Sequence, residues 1–139
     1  MKPDFTRTLS DGRAGFPAVL DDLESYLDSL GAPPSAIGPV LIALDEVVSN
    51  ILDYGGDDPR VEIAVTVGGG RVAVEIVDNG AAFNPMAQAT PDTNLSVEDR
   101  AIGGLGIHLV RKLMDAVGYD RRDGLNRLHF SKTYSSASS

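Results

Sequence analysis

The stretch from Val61 to Val77 constrains the fold more than any other. Val61, Ile63, Val65 and Val67 alternate with Glu62, Ala64 and Thr66, three glycines follow (Gly68, Gly69, Gly70), and Arg71 to Val77 is mostly β-branched. Period-two alternation places the apolar set on one face of a strand, and a glycine-rich break between two such runs predicts a β-hairpin. A hairpin with one apolar face must bury that face against another layer. The sequence supplies the layer immediately upstream. Val40, Leu44, Val47 and Ile51 recur at spacings of three and four, widened by Leu41, Val48 and Leu52, which predicts a helix from about Ser35 to Tyr54 ended by Gly55-Gly56.

A further helix is predicted from about Ala14 to Leu30 on the spacing of Phe16, Val19, Leu20, Leu23, Leu27 and Leu30, stopped by Gly31 with Pro33-Pro34 behind it. Asp4 to Leu9 reads as a short edge strand. From Gly80 to Gly106 the chain holds Pro85, Pro91 and Asn94 with few large apolar residues, which predicts a long loop of the kind that is usually functional. A third helix is predicted from about Leu105 to Val117, then two strands, Gly118–Arg122 and Arg127–Thr133. The expected class is α+β: a two-layer α/β sandwich whose mixed, mostly antiparallel sheet carries helices on one face. Residues 1–134 form one expected domain and 135–139 an expected disordered tail.

Composition narrows the chemistry. The 139 residues carry 20 acidic and 12 basic side chains, a formal net charge of −8. A chain this acidic is poorly suited to direct nucleic-acid binding, which needs clustered Lys and Arg. The same charge repels a nucleotide, so a nucleotide site here needs a metal ion or backbone donors. There are no cysteines, which removes disulfides, zinc–thiolate sites and thiol catalysis. No apolar run is read as reaching the roughly 20 residues of a membrane span. Residues Met1 to Phe5 lack the apolar stretch of a signal peptide. A cytoplasmic protein with no membrane partner is expected.

Three groups of residues can carry chemistry. Glu46, Asn50 and Asp53, spaced by four and then three, share one face of the second helix. They form either a solvated helix face or a seam that handles Mg²⁺ and water, since Asn and carboxylate oxygens are hard ligands and a carboxylate one turn away can take a proton. Asp78-Asn79-Gly80 follows an apolar strand directly. It is either a turn or a strand-end carboxylate that accepts a hydrogen bond from the exocyclic amine of adenine, with Gly80 allowing close approach. Gly103-Gly104-Leu105-Gly106 is either a flexible hinge or a helix start whose N–H groups face an anion. It lacks the Lys-Ser/Thr of a P-loop. His108 and His129 are isolated, and surface or packing roles are expected of them. No Gly-x-Ser-x-Gly elbow is present.

The order of these groups is more specific than any one of them. Leu44-Asp45-Glu46-Val47-Val48-Ser49-Asn50 resembles the N box of the GHKL (Bergerat-fold) ATPases. Asp78-Asn79-Gly80-Ala81-Ala82-Phe83-Asn84-Pro85 resembles their G1 box, and Gly103-Gly104-Leu105-Gly106-Ile107-His108-Leu109-Val110 their G2 box. Phe83-Asn84-Pro85 and Leu113-Met114-Asp115 are similar to segments of the anti-sigma factor serine/threonine-protein kinases (RsbW-like), and the resemblance spans roughly residues 5–132. It implies ATP and Mg²⁺ as cofactors. Asn50 would hold the metal on the triphosphate, Glu46 would be the catalytic general base, Asp78 and Gly80 would meet adenine, and Gly104, Leu105 and Gly106 would meet phosphates. Residues 84–102 would be the ATP lid. The family usually has His where this chain has Asp53, and Arg100 is the nearest candidate for a phosphate-pairing lid arginine.

The implied function is transcription regulation by an anti-sigma-type serine kinase. Such a protein sequesters a sigma factor or another regulatory effector and phosphorylates a small anti-anti-sigma antagonist, whose added charge breaks their complex. A homodimer is implied by the same resemblance. The alternative is a non-catalytic module in which ATP orders the lid and so creates a partner surface.

Overall fold

The computed structural model describes residues 4–10, 12–54, 59–80 and 104–134. The expected lid (84–102), Arg100, Gly103 and the expected tail lie outside the described residues. Among those described, β1 (Phe5–Leu9) is followed by a single 3₁₀ turn (Gly12–Gly15), α1 (Phe16–Ser29), α2 (Pro34–Tyr54), β2 (Val61–Gly68), β3 (Arg71–Asp78), α3 (Gly104–Leu113), β4 (Ala116–Arg122) and β5 (Leu125–Thr133). The strands form one five-stranded sheet in the order β1-β2-β3-β5-β4. Every pairing is antiparallel, so the mixed component expected from the sequence is absent among these strands.

Local signals set the element ends. Gly31, at φ +84°, closes α1: its N–H bonds to the Asp28 carbonyl at 3.0 Å and the Ala32 N–H to the Leu27 carbonyl at 3.1 Å, the paired bonds of a Schellman stop. Pro33 then caps α2 through its carbonyl, which accepts from the N–H groups of Ala36 (2.9 Å) and Ile37 (3.0 Å). At the β2–β3 hairpin, Gly69 and Gly70 both take positive φ (62° and 74°), as a two-residue type I′ turn requires.

The register aligns side chains in rows across all five strands. Phe5, Val65, Val74, Phe130 and Val117 form one row, and Arg7, Ile63, Ile76, Leu128 and Tyr119 the next. These rows share the face that meets the helices, where Leu23, Leu27, Val40, Leu44 and Val48 are fully buried. The opposite face is polar, with Glu75 and Arg127 paired at 3.8 Å and the exposed His129 ring lying against the Gly118 backbone.

Two expectations need correction. The third helix stops at Leu113 and does not reach Val117. Asp115 donates its N–H to the Ser131 carbonyl at 2.9 Å, so the chain has already joined β5, and Val117 packs on the core as a strand residue. The second concerns the membrane test. Pro34–Asp53 is a helix of 20 residues with mean hydropathy 1.5, long and apolar enough to span a bilayer by length and composition. Val40, Ala43, Leu44 and Val48 of this helix are buried in the hydrophobic core, which explains part of that composition; 39% of the apolar window is buried and Ile42 is exposed.

Candidate functional site

One row of the sheet departs from the apolar pattern. Leu9, Val61, Asp78, Asn126 and Arg121 stand in register across β1, β2, β3, β5 and β4. Its first two members are core residues. Asp78 and Asn126 are each only 5% exposed, and the row therefore ends in a polar cluster inside the helix-facing side of the sheet. Burying a carboxylate is costly unless donors surround it. Here the Gly80 N–H reaches Asp78 Oδ1 at 2.8 Å and the Asn126 Nδ2 amide reaches the same oxygen at 3.0 Å. Among the described residues no hydrogen bond falls on Oδ2. The Asp78–Gly80 bond is an Asx-turn, so the turn reading of Asp-Asn-Gly holds, and it leaves the second carboxylate oxygen able to accept. A buried acceptor at a strand end, with no hydrogen bond on it among the described residues, fits an amino group of a ligand, such as the exocyclic amine of adenine.

Asn79 closes the ladder beyond Asp78. Its Oδ1 accepts from the Arg60 N–H at 2.8 Å and its own N–H donates to the Arg60 carbonyl at 3.4 Å. That fixes where the chain leaves β3. Arg121 reaches from β4 to the same exit, donating through Nη1 to Asn126 Oδ1 at 2.9 Å and to the Gly80 carbonyl at 3.4 Å. The Tyr119 hydroxyl also donates to Asn126 Oδ1. Burial pushes the Tyr119 phenol above its ordinary range, an effect Arg121 partly opposes, so the group remains a donor at neutral pH.

Glu46 and Asn50 are both half-buried on one face of α2, and Asp53 is exposed near its end. The neighbouring Val47 and Val48 are buried, so the seam borders the core without entering it. No three His, Cys, Asp or Glu side chains among the described residues gather as a metal site. A cation on this seam would therefore depend on Asn50 and on oxygens brought by a ligand. Gly104, Leu105 and Gly106 form the first turn of α3. The first-turn N–H groups of a helix lack intrahelical acceptors, and Arg111 and Lys112 in the last turn match the dipole that favours an anion at the other end.

Asn126, Tyr119 and Arg121 were not singled out in the sequence. A signal existed: Asn126 precedes Leu128 and Phe130 at period two, so it continues the buried face of β5. The strand expected from Arg127 onward excluded it.

A buried carboxylate at a strand end, a polar seam on the preceding helix and a glycine-opened helix after it define a nucleotide-binding class of α+β domain. Residues 13–132 match the histidine kinase-like ATPase domain, and the chain belongs to that family, the GHKL group its motifs resemble. Family membership implies ATP as the ligand. The chain is similar to the serine/threonine-protein kinase BtrW of Bordetella bronchiseptica, 33% identical over 90 residues, which cover 63% of this chain and 63% of BtrW. The matched segment thus spans less than two thirds of the curated relative. Among solved structures, the RsbU and RsbW domains of Rv1364c from Mycobacterium tuberculosis align with TM-score 0.65 at 19% identity, over 93% of this chain and 32% of that one. The SiaB-SiaC complex of Pseudomonas aeruginosa aligns with TM-score 0.64 at 16% identity, over 96% and 91%. At these identities the structural likeness shows the fold.

Proposed function

We propose that this chain is an Mg²⁺-dependent, ATP-binding regulatory kinase that phosphorylates a serine on a small antagonist protein and sequesters a sigma factor or comparable effector. The observation that carries the nucleotide part is Asp78, buried with both of its described hydrogen bonds on Oδ1. The kinase part is supported by the similarity to BtrW, named a serine/threonine-protein kinase, and by Glu46 standing one turn before Asn50 on the same half-buried seam.

Each residue has a distinct task in this reading. Asp78 and Gly80 receive the base. Asn50 would hold Mg²⁺, whose charge would offset that of the triphosphate, and the first-turn N–H groups of Gly104, Leu105 and Gly106 would donate to phosphate oxygens. Bound ATP supplies the phosphoryl group. Glu46 would take the proton of the substrate serine hydroxyl as the serine oxygen bonds to the terminal phosphorus and the bond from that phosphorus to the ADP oxygen breaks. The net acidic charge of the chain makes the cation and the backbone donors necessary. Asp53, where the resemblance leads one to expect His, favours a second reading in which the same site binds nucleotide to order a partner surface without catalysis. A homodimer belongs to the proposal, with light scattering as its test.

Calorimetric titration of Mg-ATP into the protein, beside Asp78→Asn, tests the site. Saturable binding that the substitution removes supports it. No binding to the unsubstituted protein would overturn it. A Glu46→Ala variant that binds ATP and still regulates its partner would favour the non-catalytic reading.

A further inference from the structure

The row that holds Asp78 contains more than one ligand-facing carboxylate needs. Asn126 Nδ2 donates to Asp78 Oδ1 at 3.0 Å and approaches the Gly80 carbonyl at 3.5 Å. Asn126 Oδ1 accepts from Arg121 Nη1 at 2.9 Å and from the Tyr119 hydroxyl. A side-chain amide has a donor end and an acceptor end. Two donors on one side and a carboxylate on the other permit a single orientation of the group. The Asn126 amide is therefore locked by β4 and in turn locks Asp78 on β3. The relay runs through three adjacent strands and is closed by register: Asp78 pairs with Asn126, and Asn126 with Arg121.

The consequence follows from which oxygen is consumed. Both donors address Oδ1, so the carboxylate cannot rotate without breaking two bonds. Its other oxygen takes no hydrogen bond among the described residues and is left as an acceptor where the chain leaves β3. A fixed acceptor welcomes an amino group and repels a carbonyl oxygen at the same position. Failing to satisfy a buried polar group is the most effective way a site rejects an analogue.

We propose that Asn126, oriented by Tyr119 and Arg121, is the positioning residue that holds Asp78 for the nucleotide base, and that this relay sets the preference of the site for an amino-bearing purine over a carbonyl-bearing one. The proposal rests on the reading that Asp78 receives the base. Asn126 acts through Asp78 and is not itself catalytic.

The test compares ATP and GTP binding by calorimetry for the unsubstituted protein, Asn126→Leu, Asn126→Asp and Tyr119→Phe, each checked for cooperative melting. Asn126→Leu is expected to weaken ATP about 10-fold or more and to shrink the ATP-to-GTP ratio by a similar factor. Tyr119→Phe leaves the Arg121 donor in place, so a loss of about 3-fold is expected. Asn126→Asp sets a second carboxylate against Asp78, with Arg121, Tyr119 and the Gly80 N–H as the other polar groups facing the pair. Only its protonated form can donate, so this variant should gain ATP affinity as the pH falls from 8 to about 5.5, which a structural role for Asn126 would not produce. In the nucleotide-free protein, Tyr119→Phe should shift the side-chain amide resonance of Asn126. If Asn126→Leu fails to melt cooperatively, the pH profile of Asn126→Asp and the resonance shift decide. ATP affinity and the ATP-to-GTP ratio unchanged across the variants, with the unsubstituted protein binding ATP, would overturn the relay alone. An unsubstituted protein that binds no ATP would overturn the site reading and the relay with it.

Discussion

Arg60 and Asn79 exchange two hydrogen bonds, Arg60 N–H to Asn79 Oδ1 at 2.8 Å and Asn79 N–H to the Arg60 carbonyl at 3.4 Å, and so extend the β2–β3 ladder past Asp78. The middle residue of Asp-Asn-Gly thus has a structural task, while its neighbours Asp78 and Gly80 are the residues proposed to receive the base. Asn79→Ala should cost about 0.5–1.5 kcal/mol in denaturant unfolding, the usual net value of such a bond. Asn79→Asp keeps the acceptor and should cost less. Equal losses for the two variants would mean that the Asn79 Oδ1 bond contributes little.

Glu46 and Asn50 border the core on a half-buried seam, whereas Leu44, on the same helix, is fully buried. Stability and function should therefore separate along α2. Leu44→Ala should lose about 2–5 kcal/mol through the cavity it leaves. Asn50→Ala should abolish Mg-dependent nucleotide binding, and Glu46→Ala should bind ATP yet lose phosphotransfer, each within about 0.5 kcal/mol of the unsubstituted stability. A marked fall in melting temperature for either would return the seam to a structural role. Loss of ATP binding in Glu46→Ala would make Glu46 a binding residue.

Asp115 pins the end of β5: its Oδ2 accepts from the Thr133 N–H at 2.7 Å and the Thr133 hydroxyl at 2.9 Å. The backbone bond, and after it the hydroxyl bond, hold its carboxyl below the ordinary value of 3.8. A depressed carboxyl contributes stability above its unfolded value and loses it as the pH falls through the folded one. The melting-temperature gap between the unsubstituted protein and Asp115→Asn should be largest above pH 4 and should close at more acidic pH. A gap independent of pH across that range would contradict the assignment.

Gly69 and Gly70 share a positive φ but differ in surroundings. A Cβ on Gly69 meets nothing within 4 Å, whereas one on Gly70 would stand 2.8 Å from the Tyr134 carbonyl oxygen. Gly69→Ala should cost about 1 kcal/mol, the left-handed penalty alone. Gly70→Ala should cost more, because Tyr134 is tied by its own N–H to the Gly70 carbonyl at 2.8 Å and its backbone cannot move aside without straining that bond. Urea unfolding of the two variants side by side would show the difference, and equal costs would mean that the Tyr134 backbone yields freely.

Much of the architecture was legible in local pattern. The stripe from Val40 to Leu52, the alternation from Val61 to Val67 and the stops at Gly31 and Gly68–Gly70 express short-range physics: helical and strand periodicity, and the backbone freedom of glycine at positive φ. The motifs that resemble GHKL boxes were legible for the same reason, since each is a contiguous run around a helix or strand end. The end of α3 was not legible, because Val117 continues a helical period and only the bond from Asp115 to Ser131, across the sheet, turns the chain into a strand.

The sequence by itself determined that Asp78 ends an apolar strand and that Glu46 and Asn50 share a helical face. Tertiary structure alone decided that Asp78 lies in a row with Asn126 and Arg121, residues 48 and 43 positions further along the chain. Which side chains meet in a row depends on strand order and register, and a shift of one residue in β5 would turn Asn126 to the opposite face. Those are properties of the paired sheet, set by the burial of Leu128 and Phe130 under the helices, and no local pattern around Asp78 encodes them.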